Sequence, residues 1–137
     1  MQHSVCLTKS PSSKKKFRVT FENGKYIDFG GKGYSDYTIH KDPIRMRSYV
    51  SRHGGVILKK LKQQINENVV HNDMLLVNKS SKENWNTSGI YTAGFWSRWL
   101  LWSYPTINCA KKHIRDTYNI AFFNYQNINK KCKKTKT

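Results

Sequence analysis

The stretch KKFRVTFENGKYIDFGG alternates apolar and polar positions on both sides of Asn23-Gly24, a pattern that predicts a β-hairpin. A two-residue Asn23-Gly24 loop would set Phe21 opposite Tyr26 and send Ile27 and Phe29 to the face away from Phe17, Val19 and Phe21. A three-residue loop, Glu22-Asn23-Gly24, pairs Val19 with Ile27 and Phe17 with Phe29 instead. All the apolar side chains then share one face, and Gly24 takes the left-handed position of the bulge without steric cost. The second register is the expectation. The glycine-rich segment GGKGYSDYT that follows reads as a turn. Its Gly31-Lys32-Gly33 lacks the spacing and the Ser/Thr of a phosphate-binding loop.

Helical periodicity begins at HKDPIRMRSYVSRHGG, where Asp42 caps, Pro43 suits the first turn and Gly54 suits the stop. Arg45, Tyr49 and Arg52 line one face, with Met46 and Val50 along its edge. That face either grips phosphates or packs Tyr49 on the core. In VILKKLKQQINENVV, Ile57, Leu61, Ile65 and Val69 recur at helical spacing. MLLV (74–77) is too short to classify, and KSSKENWNTSG is a polar link. Thr92 caps a tryptophan-rich helix expected to end near Ser103, ahead of Pro105. A last helix is expected from about Thr106 to Tyr118, with Ile107, Ala110, Ile114 and Tyr118 inward. IAFFNY (120–125) reads as a strand able to join the hairpin.

The tryptophan segment, TAGFWSRWLLWSYPT, is too short to cross a bilayer, which takes roughly 20 apolar residues. It is expected to supply core or an inter-subunit contact through Phe95, Trp96, Trp99 and Trp102, with Trp85 and Tyr49 in the same class. Base stacking by one exposed tryptophan is the alternative. The start, MQHSVCLTKSPSSKKK, has no apolar stretch of a secretory signal, and the expected location is intracellular.

Charge adds a partner class. The 137 residues carry a net charge of +17. Residues 1–16 hold four lysines and no acid, and residues 126–137 hold five. Both are expected to be flexible basic arms. Lys14, Lys15, Lys16, Lys41, Arg45, Arg52, Lys130, Lys131, Lys133 and Lys134 are the candidate contacts to a polyanion, either nucleic acid or an acidic protein surface. Cys6, Cys109 and Cys132 are odd in number and widely spaced, neither a disulfide framework nor a zinc pattern. No metal or cofactor is expected. The eight carboxylates form no recognised acidic motif. Cys109 with His113 is the sole local thiol–imidazole pair, with nothing nearby to build an oxyanion site, so the chain is not expected to be an enzyme.

GGKGYSDYTIHKD, RSYVSRH, ENW and TAGFWSRWLLWSYPT, in that order, resemble an uncharacterised family of small basic proteins encoded by nucleocytoplasmic large DNA viruses of algae, amoebae and invertebrates. The resemblance covers roughly residues 17–53 and 82–118. Residues 54–81 stand as an insertion where relatives pass almost directly from RH to ENW. It implies a viral origin and a virion role, and no catalytic residues to transfer. The resulting expectation is a small α+β domain over residues 17–125, a hairpin or three-stranded sheet packed by three to four short helices. Its expected function is that of a minor capsid or internal scaffold protein that bridges other virion proteins. Non-specific DNA packaging is the alternative. The expected locations are the virion, and the host cytoplasm or viral factory during assembly.

Overall fold

The computed structural model describes residues 3–123. The hairpin forms from β2 (Lys15–Phe21) and β3 (Tyr26–Gly31), with Val19 opposite Ile27 and Phe17 opposite Phe29. Phe21 N–H donates to Lys25 O and Gly24 N–H to Phe21 O. Glu22-Asn23-Gly24 is therefore the loop, and Gly24 sits at φ 90°. Burial of one apolar face selects this register, because a one-residue slip would turn Ile27 and Phe29 outward and Tyr26 and Asp28 inward.

Two further strands widen the hairpin into a mixed sheet of order β3-β2-β1-β4. Strand β1 (His3–Lys9) runs antiparallel to β2, and β4 (Ile120–Phe122) runs parallel to β1. Residues 3–9 are thus an inner strand and not the arm that their charge implies. Val5 and Leu7 alternate onto the core face and are buried, worth about 1.5–3 kcal/mol apiece. Lys9, Lys14 and Lys15 stay exposed, where water and salt screen their repulsion. Burial wins, and the domain begins at β1 rather than at residue 17. Of the strand expected over 120–125, Ile120–Phe122 joins the sheet, against β1 instead of the hairpin, and residues 124 and 125 lie outside the described residues. The second basic arm, residues 126–137, lies outside the described residues.

Among the described residues, five short helices complete the α+β fold: α1 (Tyr37–His40), α2 (Pro43–Arg52), α3 (Glu67–Met74), α4 (Ala93–Trp96) and α5 (Ile107–Tyr118). Their caps follow local chemistry. Asp36, Asp42, Asn66, Thr92 and Thr106 each accept a first-turn N–H, and Gly54 follows α2 at φ 85°. The tryptophan helix departs from expectation. After Trp96 the chain widens into a π-helical turn, Ser97–Leu101, in which Arg98, Trp99, Leu100 and Leu101 are all buried. A segment apolar on every side is one enclosed on every side.

The stripe Ile57–Leu61–Ile65–Val69 does not form one helix. A 3₁₀ turn covers Lys59–Gln63, and α3 starts afresh at Glu67. Gln64 Oε1 accepts the N–H groups of Ile65 and Asn66, and Asn66 Oδ1 accepts that of Val69. These local bonds end one element and begin the next. Ile57 is buried, whereas Ile65 is 85% exposed. Segment 54–81 leaves and rejoins the domain at a Gly55–Ser80 bridge. Its Val70 and Met74 are buried in the common core.

Candidate polyanion-binding groove

The aromatic candidates face inward. Trp85, Phe95, Trp96 and Trp99 are fully buried, and Trp102 is partly buried. A buried indole needs an acceptor, and each of the three fully buried indoles has one. Trp96 Nε1 donates to Ile90 O, Trp99 Nε1 to Trp85 O, and Trp85 Nε1 to Glu83 Oε1. Tyr49 is buried with its ring stacked on Trp102 (4.4 Å between centroids, 6° between planes) and on His53. Burial raises its hydroxyl pKa above the ordinary tyrosine value.

Arg98 is the residue that sequence reasoning passed over. It is fully buried and has no carboxylate among its hydrogen-bond partners in the described residues. Its guanidinium donates to the carbonyls of Met74, Val77 and Trp102 and lies 4.3 Å from the ring centre of Trp99. The carbonyls at the end of α3 carry the negative end of the helix dipole, which suits a cation. Burial lowers its pKa to about 10. Its place as the one charged residue inside an apolar run was the available signal.

The cationic candidates divide by environment. Lys16 pairs with buried Asp36 and also donates to Tyr34 O. Lys41 donates to Thr38 O and Pro105 O. Lys14, Lys15, Arg45 and Arg52 are exposed. Lys130, Lys131, Lys133 and Lys134 lie outside the described residues. Helix α2 brings some of the exposed cations together. With Met46, Tyr49 and Val50 buried, its opposite arc presents Arg47, Ser48, Ser51 and Arg52. These line a groove of about 360 Å³ with Ile57 and Lys62, and Arg45 lies one turn from Ser48 and Tyr49. Arg47 Nη1 donates to Leu61 O and Gln64 O, which fixes the 3₁₀ turn that carries Lys62. Two hydroxyls and three cations without a lining acid form a surface suited to phosphate or carboxylate oxygens. The Arg45/Tyr49/Arg52 face thus splits: the ring enters the core and the arginines stay outside.

Lys32 N–H donates to Lys14 O and Tyr34 N–H to Gly31 O, so the glycine-rich loop spends one amide on the backbone ahead of β2 and the other on its own turn. Cys109 is disulfide-bonded, which removes the thiol from the Cys109–His113 pair and adds a bridge that the number and spacing of the cysteines did not announce. Cys6 is free. No described helix is long and apolar enough to cross a membrane.

In comparison with known proteins, residues 5–53, from β1 through α2, fit a family of unknown function (DUF5754). No curated protein and no solved structure matches the chain. The chain is thus similar, over β1 to β3 and through α2, to an uncharacterised family.

Proposed function

We propose that this chain is a non-enzymatic structural component of a large DNA virus particle that bridges other virion proteins and uses basic surface to engage acidic partners. The observation that carries this reading is the α2 groove, where Arg47, Arg52 and Lys62 converge with no acid in the lining. Its viral side rests on the resemblance of the GYSDYT, RSYVSRH and TAGFWSRWLLW motifs. Burial of Trp85, Trp96 and Trp99 withdraws the best stacking rings from nucleic acid and favours a protein partner. Crosslinking within intact particles, read by mass spectrometry, should join α2 to other particle proteins. Recovery chiefly in crosslinks to the genome would overturn this reading.

Non-specific DNA packaging is the second reading, favoured by the Ser48 and Ser51 hydroxyls beside the groove's cations. With about 6–10 phosphate contacts, duplex affinity would fall roughly 10³–10⁵-fold between 50 and 200 mM salt. Arg45→Gln with Arg52→Gln would then flatten the salt slope by about two units, whatever the DNA sequence.

A further inference from the structure

We propose that a second groove, between the 3₁₀ turn Lys59–Gln63 and the end of α3, docks an apolar segment of another protein whose flanks are acidic. This groove holds about 680 Å³, and Val56, Leu58, Leu61, Leu76 and Val77 form its apolar walls. Val56, Leu58 and Leu76 are 61%, 62% and 78% exposed. Single exposed aliphatic residues are ordinary, but several lining one concave surface mark an interaction site.

The groove is held open before any partner arrives. Arg47 fixes one wall through Leu61 O and Gln64 O. Arg98 holds the other through Met74 O and Val77 O. The base is closed where Val56 N–H donates to Lys79 O and Ser81 N–H to Gly54 O. A preformed groove spares a ligand the entropy of ordering it.

Charge selects the occupant. Lys60 and Lys79 line the groove with Asp73 as the one lining acid, and Lys59, Lys62 and Lys82 lie close by in sequence. A second copy of the chain would bring +17, and residues 126–137 would bring five lysines and no acid. Like charges facing each other oppose both occupants. Nucleic acid would find aliphatic walls with no ring to stack on. Apolar anchors with acidic flanks satisfy both walls and rim.

Fluorescence anisotropy of the full chain tests this with three labelled synthetic peptides. One carries leucines on a helical face between glutamate flanks, one replaces those leucines by serine, and one replaces the glutamates by lysine. The first should bind at least tenfold more tightly than either of the others. Leu58→Asp or Leu76→Asp should weaken it at least tenfold, and circular dichroism should be unchanged because both side chains are exposed. Arg45→Gln with Arg52→Gln should leave it unaltered, which separates this groove from the α2 groove. Equal binding of the leucine and serine peptides would reduce the effect to net charge and overturn the proposal. So would insensitivity to both aspartate variants, displacement by a single-stranded oligonucleotide, or self-association abolished by Leu76→Asp.

Discussion

Arg98 Nη2 donates to the carbonyl oxygen of Met74 across 24 positions of sequence, so a cation enclosed by the tryptophan segment anchors the end of α3. Replacing it by leucine removes a buried charge but leaves the carbonyls of Val77 and Trp102 without this donor, while Met74 O keeps the N–H of Val77. Each unsatisfied buried group costs about 1–3 kcal/mol. Arg98→Leu is therefore expected to lose about 2 kcal/mol or more in urea denaturation, and Arg98→Lys to lose stability too, because an ammonium lacks the planar fork that reaches three carbonyls at once. A leucine variant as stable as the parent would show that relief from desolvation wins instead.

How much of this was legible depends on how local the deciding interaction is. The hairpin register could be read because one turn and one apolar face decide it. The caps at Asp42 and Thr92 could be read because each bond spans two or three residues. Strand β1 was hidden: Val5 and Leu7 alternate correctly, but the β4 partner of Val5 lies far along the chain, and the nearby lysines spoke for an arm. The α2 groove was half legible. Arg52 was identified, but Lys62 reaches the groove only because Arg47 holds the 3₁₀ turn. The apolar docking groove was obscured by a stripe that reads as one helix until Gln64 and Asn66 are given their backbone partners.

Gly24 has φ 90°, and a Cβ at this position would meet open space. Gly24→Ala therefore tests backbone strain alone. A loss of about 1 kcal/mol is expected, read as a lower denaturation midpoint with an unchanged slope.

Removing residues 1–9 takes out an inner strand and exposes the edges of β2 and β4. The expected outcome is an unfolded or insoluble product. Val5→Asp provides the subtler check, since it places a carboxylate at a fully buried position and should also abolish cooperative unfolding. Retention of the parental midpoint by either variant would return residues 3–9 to the role of an arm.

His40 provides the pH dependence. Burial, followed by the charge of Arg45, holds its pKa below the ordinary 6.5, and Asp42 N–H donates to Nδ1 at 3.0 Å. That nitrogen must be unprotonated to accept. As pH falls through 6.5 the unfolded chain takes up the proton more readily than the folded one, so stability should decline on acidification. The nearby Asp42 and Asp36 oppose the shift but do not reverse it. The difference in unfolding free energy between the parent and His40→Gln, measured from pH 8 to 5, should shrink toward acid. A difference independent of pH would remove His40 from the account.

The parallel pairing of His3–Val5 with Ile120–Phe122 also bears on synthesis. On the ribosome, β1 emerges early and gains β2 soon afterwards, but its other edge must wait until α5 has been made. Until then β1 displays an open strand edge, a template for pairing with a neighbouring copy. The like charge of the lysines around β1 opposes such pairing until β4 closes the sheet.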